Sequence, residues 1–344
     1  MNGRDNVLAA YAFKPPYKIP VEYYYSPVGY YEHGDKLNDL FSKYEGDFEP
    51  FAVKPVPVLP PEAFDADGRY HEIKTDEWGT EWEYRIFGVW GIERKYPLSD
   101  YSKLADYSFP PLASYINDRD AFLNAKKAVE NHKIKYFSKG GALGLFEKLI
   151  SLRPFEDVLC DMAAEDDNFI SLLDRLTERN RLLIDSAIRL EVDSIAFGDD
   201  FGTQDGLIFS REMFKRYFMT RYKSLMKPIK EAGIKVHFHT CGNASELLDD
   251  FKEMGVDSIW PQLPAYDLNW LADKCRDLNL AVALHTDRAN TMTHGTPEEV
   301  RTLVKSEYEA FKPDKGGSWF YIEVDNGFPF DNIKALVEQV FEYR

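Results

Sequence analysis

The pattern of apolar and polar positions changes near residue 113. Beyond it, apolar residues at helical spacing alternate with short β-branched and aromatic runs bounded by Gly, Pro, Asn and Asp. The spacing predicts helices over 114–130, 143–152, 155–163, 167–190, 210–232, 245–254, 268–278, 297–311 and 331–343. Strands are expected over 134–138, running into Gly140-Gly141, and over 193–198, 235–241, 257–261, 281–285 and 319–324. Ser210 has the character of an N-cap, with Glu212 in the first turn. Before residue 113 the rhythm is less regular. A short helix over 4–11 ends before Pro15-Pro16, 19–25 reads as extended, and 37–44 as helical. The prolines of 47–61 exclude regular helix there. Bulky and acidic residues alternate over 76–84 around Gly79, the signature of a hairpin with a turn or bulge.

Repeated strand–helix alternation implies a parallel sheet. It closes either as an open doubly wound sheet or as a barrel. No GxGxxG or Walker-type glycine loop follows the first clear strand, which weakens the nucleotide-binding open sheet. The expected strands end in Gly198-Asp199-Asp200, His239-Thr240-Cys241, Pro261-Gln262, His285-Thr286-Asp287 and Glu323-Val324-Asp325-Asn326. Polar groups at the C-terminal ends of consecutive strands are the layout of a barrel active site. The expected fold is a single α/β domain over 1–344, a (β/α)8 TIM barrel, with 1–112 as an N-terminal elaboration and the first barrel elements.

The densest chemistry is Lys235-Val-His-Phe-His-Thr-Cys-Gly-Asn243. On a strand, His237, His239 and Cys241 share one face. Imidazole with thiolate suits zinc. A single His or Cys in an apolar strand is more often packed core; three in alternation before Gly-Asn are harder to explain by packing. A closed structural zinc cage is excluded, since Cys160 and Cys275 form no CxxC pair. Asp199 and Asp200 are candidate catalytic groups, and adjacency lets only one of them face the barrel. His285, also a catalytic candidate, alternates with Asp287, and both would orient substrate or a ligand.

The 58 acidic residues outweigh the 42 basic ones, giving a net charge of −16, which argues against nucleic acid or an anionic membrane as the main partner. Three cysteines give no disulfide framework, the N-terminus has no signal-peptide pattern, and no apolar run reaches membrane-helix length; a cytoplasmic protein is expected.

Four stretches carry a resemblance to the uroporphyrinogen decarboxylase superfamily: Arg4-Asp-Asn-Val-Leu8, Asp76-Glu-Trp-Gly79, Gly198-Asp-Asp-Phe-Gly-Thr203 with Ser210, and His237-Phe-His-Thr-Cys-Gly-Asn243. The resemblance spans nearly the whole chain and implies a (β/α)8 barrel with its site at the strand C-termini. One branch of that superfamily decarboxylates a tetrapyrrole without a cofactor. The other uses zinc to move methyl groups between a corrinoid and a thiol or related acceptor. The decarboxylase branch has an Arg-Gln-Ala-Gly-Arg stretch near its N-terminus; here the comparable Val21-Glu-Tyr-Tyr-Tyr-Ser-Pro27 has no arginine. The sequence is more similar to the methyltransferase branch, and His239 and Cys241 match its His-x-Cys ligand pair. Its later ligand Cys is missing, with Asn326 near that place, so Glu323, or else Asp325, is expected to complete the zinc site. The implied activity is a corrinoid-linked methyl transfer. Zinc is the implied cofactor; the donor and acceptor would be a corrinoid protein or small molecules. His237, Gln262, Asp287 and Asn326 are expected to bind substrate. The competing readings are a tetrapyrrole decarboxylase and a non-catalytic ligand-binding barrel.

Overall fold

The computed structural model describes residues 1–344, except the side chain of Ala142. Ten strands occur in chain order: β1 (Val21–Tyr24), β2 (Glu72–Thr75), β3 (Glu81–Tyr84), β4 (Ile92–Lys95), β5 (Lys139–Leu143), β6 (Ser194–Gly198), β7 (Lys235–Thr240), β8 (Ser258–Pro261), β9 (Ala281–His285) and β10 (Ser318–Glu323). Seven form one parallel sheet, in the order β1-β10-β9-β8-β7-β6-β5. The sheet curls until its two edges approach. The gap between β1 and β5 is bridged by the backbone at Asp47, whose N–H donates to the Val21 carbonyl (2.8 Å) and whose carbonyl accepts from Phe137 N–H (2.9 Å). That short segment stands in the eighth stave position, and the fold is a (β/α)8 barrel.

The alternation of inward and outward residues is set by the pleat. Val236 and Phe238 of β7 point outward to the helices, where Phe238 stacks on Phe251 with ring centroids 4.9 Å apart. Residues of the intervening positions, such as His237 of β7 and Trp319 of β10, fill the barrel interior, their rings 5.8 Å apart. The N-terminal ends of the strands are closed by helix Gly3–Tyr11, which opens with a capping box at Asn2. Its Tyr11 packs against Phe137 and Trp319, and its Arg4 pairs with Asp193 at 2.9 Å just before β6. With that end plugged, access is from the C-terminal ends of the strands.

The helices over 167–190, 268–277 and 297–311 start and stop close to where the periodicity puts them. Ser210 caps its helix as expected, accepting from Met213 N–H at 3.2 Å. The strand expected over 134–138 lies instead at Lys139–Leu143. Phe137 is used to meet Asp47, and Gly140 and Gly141 lie inside the strand, where a Cβ at Gly141 would crowd Ile195 and the Ala196 carbonyl at 3.1 and 3.2 Å. The hairpin around Gly79 is β2–β3, extended by β4 into a small antiparallel sheet outside the barrel. No helix of the described residues is long and apolar enough to cross a membrane.

Candidate functional site

The inward face of β7 carries His237, His239 and, just past its end, Cys241. His237 sits lowest and is buried, its Nδ1 2.8 Å from Ser258 Oγ, which in turn donates to the Tyr11 hydroxyl. Burial drives its pKa well below the ordinary imidazole value, so the ring is neutral. His239 is one layer higher. Its Nδ1 lies 2.9 Å from the Trp260 carbonyl, which can only accept, so Nδ1 carries the proton. The Nε2 lone pair is thereby aimed at Cys241 Sγ (3.4 Å) and Asp200 Oδ1 (3.6 Å). This is the tautomer and support that a metal-binding histidine requires.

Asp200, His239 and Cys241 offer ligand atoms that all lie within 4.8 Å of one another. Atoms held ~2.0–2.3 Å from one tetrahedral ion stand about 3.3–3.8 Å apart, and the two His239 distances fall in that interval. One imidazole, one thiolate and one carboxylate are a donor set that fits zinc with a position left for a substrate atom. With no cation, burial first and then the neighbouring Asp200 push the Cys241 thiol up to about 12, so it stays protonated.

Two glycines bring Asp200 to β7. The loops after β6 and β7 touch backbone to backbone: Asn243 N–H donates to the Thr203 carbonyl at 2.7 Å. A Cβ at Gly242, whose φ is +70°, would stand 2.2 Å from Gly202 C and O; one at Gly202 would stand 2.6 Å from Asn243 N. The loops are pinned further by Cys241 N–H donating to Asp200 Oδ1 (2.7 Å) and Gly242 N–H donating to Gln262 Oε1 (2.9 Å).

The expected roles are redistributed by this geometry. Glu323 does not stand with His239 and Cys241. It sits across the mouth, its Oε2 3.7 Å from His285 Nε2 and 4.0 Å from Arg288. Asp200, not Glu323, stands beside the His-x-Cys pair, and the Gly202–Gly242 contact holds its loop against the end of β7. Asp199, expected as a catalytic group, is fully buried and turned away from the mouth. Its carboxylate accepts from the N–H groups of Leu145, Phe146 and Glu147 and from the Tyr222 hydroxyl, fastening helix Phe146–Leu152 to the end of β6. Asp287 is likewise spent on its own loop, accepting from Ala289, Asn290 and Thr291 N–H. Gln262 and Asn326, expected to bind substrate, line the mouth.

His285 accepts at Nδ1 from the Trp260 indole N–H, 3.1 Å away. An indole nitrogen only donates, so the His285 proton is on Nε2. Burial and Arg288 lower its pKa to about 3. Its Nε2 and the Glu323 Oε2 that it faces have no hydrogen-bond partner among the described residues. Burial raises the Glu323 carboxyl to about 7, against the pull of Arg288.

His239 and Trp260 form a partition between two cavities. One, of about 440 Å³, is bordered by Cys241, Gln262, His285, Arg288, Glu323 and Asn326. The other, of about 490 Å³, has His237 in its floor and is walled by Trp78, Trp82 and Trp90 from the small antiparallel sheet. The alternation over 76–84 predicts a hairpin and no ligand role for that wall. The Asp76-Glu77-Trp78-Gly79 stretch was the signal available: Asp76 Oδ1 accepts from Trp78 N–H and Thr80 N–H, both at 2.9 Å, and Oδ2 accepts from Trp82 Nε1–H at 2.9 Å.

Among solved structures, one with a TM-score above 0.5 supports the fold. A methyltransferase from Methanosarcina mazei is 14% identical and superposes with a TM-score of 0.66, covering 100% of this chain and 99% of its own. A dihydropteroate synthase from Xanthomonas albilineans is 12% identical, with a TM-score of 0.39 over 60% of this chain and 69% of its own. No curated protein sequence matches the chain. The sequence model of uroporphyrinogen decarboxylase (URO-D) matches residues 137–343, more than half of the chain. That match takes in β5 to β10 and every strand that contributes to the His239 centre; the chain belongs to the uroporphyrinogen decarboxylase family.

Proposed function

We propose that the protein is a methyltransferase-type enzyme whose barrel mouth holds a divalent metal, zinc by its donor set, through His239 Nε2, Cys241 Sγ and the Asp200 carboxylate. The observation that carries this reading is the His239 tautomer. Its Nδ1–H is committed to the Trp260 carbonyl, and its lone pair converges with a thiol and a carboxylate at metal-ligand spacing. A bound zinc would lower the pKa of a coordinated acceptor thiol or water and so supply a nucleophile at neutral pH. The likeness in fold to a methyltransferase supports methyl transfer as the reaction class. The methyl donor or acceptor would be a corrinoid on a partner protein or a small molecule.

The remaining chemistry belongs to the chain itself. Asp200 accepts the Cys241 N–H and so fixes the thiol relative to the imidazole. His285, kept neutral by burial and Arg288 and oriented by Trp260, turns its Nε2–H toward Glu323, which can accept or return a proton near neutral pH. His239 and Trp260 border both cavities, so a molecule in either one lies beside the proposed centre.

Metal analysis of the purified protein tests the reading. About one zinc per chain is expected, with Cys241→Ala and Asp200→Asn each weakening binding by at least tenfold while the thermal transition stays in place. Glu323→Gln should leave zinc affinity within a fewfold of wild type. A wild-type protein that binds no divalent ion at micromolar concentration, or a Cys241→Ala variant that binds it equally well, would remove the metal centre and the mechanism with it.

A further inference from the structure

The cavity behind Trp260 has a chemistry of its own. Its walls are mainly apolar, with Trp78, Trp82 and Trp90 contributed by the small sheet and Leu143 and Leu176 by the barrel side. Trp82 and Trp90 meet edge to face with centroids 5.3 Å apart. Two cations lie at the same wall. Lys148 Nζ is 4.4 Å from the Trp78 ring centroid, and the Arg179 guanidinium is 4.8 Å from it. Neither has a carboxylate within 4.0 Å among the described residues, in a chain of net charge −16 in which many other lysines and arginines are paired. Arg179 gives one N–H to the Pro110 carbonyl, a neutral partner. The acidic groups that act most on Lys148 are Asp76 and Glu77, and Asp76 is committed to the hairpin turn and the Trp82 indole. Glu93 and Glu147 also line the cavity, but neither pairs with Lys148 or Arg179.

Glu77 acts on both cations from a distance, but neither has a carboxylate in ion-pair contact, and an anion seated between them would supply one. Arginine and lysine over an aromatic face present donors in fixed directions to a carboxylate or a similar oxyanion, and tryptophan faces favour a flat apolar body. A cavity of about 490 Å³ holds a small molecule.

We propose that this cavity binds a small aromatic molecule bearing one anionic group, its oxyanion held by Lys148 and Arg179 and its ring placed among the tryptophans. Because His239 borders both cavities, such a molecule lies with its far end toward the candidate metal centre. The inference rests on the methyltransferase reading only in taking this molecule as the substrate; the binding site stands without it.

Calorimetric titration with benzoate and 2-naphthoate, against benzamide and benzylamine of matching shape, tests it. The protein is kept in a chelator, so that a carboxylate cannot bind through zinc. The anions are expected to bind about ten- to hundredfold more tightly than the amide, as charge-assisted hydrogen bonds predict. Lys148→Met keeps the stem that covers Trp78 and should erase most of that preference while leaving amide binding unchanged. Arg179→Met is the second variant, with the same expectation. If benzamide binds as well as benzoate, if neither anion saturates in the millimolar range, or if both variants retain the anion preference, the proposal is overturned. Loss of zinc binding with the anion preference intact would overturn the metal centre and leave this site standing.

Discussion

A side chain's role in this protein is settled by what its polar atoms already hold. Asp199 and Asp200 are adjacent and chemically identical, yet one is consumed by four donors and the other faces the mouth. Alternation along the strand established that only one could do so; which one depends on helix Phe146–Leu152, whose N-terminus needs a carboxylate. Glu307 presents the opposite case. It is 1% exposed on helix Pro297–Phe311, and its Oε2 has no partner among the described residues. Burial, aided by Asp287, pushes its carboxyl well above the ordinary range. The folded protein therefore keeps a proton that the unfolded chain releases, and folding stability falls as pH rises above the ordinary carboxylate value. Glu307→Gln cannot ionise. It should match wild type in acid and exceed it by about 1–3 kcal/mol at mildly alkaline pH. Urea unfolding across that pH range measures the difference in slope, and parallel slopes would show that Glu307 does not titrate on unfolding.

At the level of the element, the centre is made by two loops that only glycine permits to meet. The motif containing His237, His239 and Cys241 was legible because strand alternation is strict and its ligand types are unusual in a core. The third member of the trio was not, because nothing in the period of β6 shows that Gly202 and Gly242 will bring Asp200 against β7. The missing cysteine drew attention to Glu323, which shares the barrel mouth but belongs to the His285 side. Gly242→Ala tests the arrangement. Its Cβ would overlap Gly202, and its φ of +70° disfavours any other residue. A loss of about 2–4 kcal/mol in stability is expected, with zinc affinity falling together with it because Asp200 is displaced. Gly206→Ala is the control: a Cβ there meets nothing within 4 Å. Equal zinc affinity in Gly242→Ala and Gly206→Ala would show that the loop contact does not position the centre. The tryptophan wall is hidden in the sequence for the same reason. The alternation over 76–84 reads as an exposed ribbon, and only the docking of that ribbon beside Lys148 turns its face into a cavity.

For the molecule as a whole, the barrel was predicted from the polar strand ends, and the helices and strands from β6 onward fall close to their expected places. The closure was not predictable, because the eighth stave is not a strand by any pattern. Residues 47–61 read as irregular and proline-rich, yet Asp47 at their start joins β1 to β5 through its own backbone. Its side chain does as much. Asp47 is 1% exposed; Oδ2 accepts from Val21 N–H at 2.8 Å and Oδ1 from Asn6 Nδ2 at 3.1 Å, while Arg344 pairs with it at 2.8 Å. One carboxylate thus ties the first strand, the N-terminal plug helix and the last residue to the barrel seam. Asp47→Ala leaves three buried donors without an acceptor, a cost of about 3–5 kcal/mol. Asp47→Asn keeps one acceptor oxygen and should cost less. The seam lies away from the His239 centre, so both variants should bind zinc like wild type at temperatures well below their transitions. Hydrogen exchange separates closure from a merely local role: in Asp47→Ala, the amides of Val21 and Phe137 should exchange faster, together with those of helix Gly3–Tyr11, while β7 and β8 stay protected. If only Val21 responds, the segment is a local turn and the barrel is closed by side-chain packing alone.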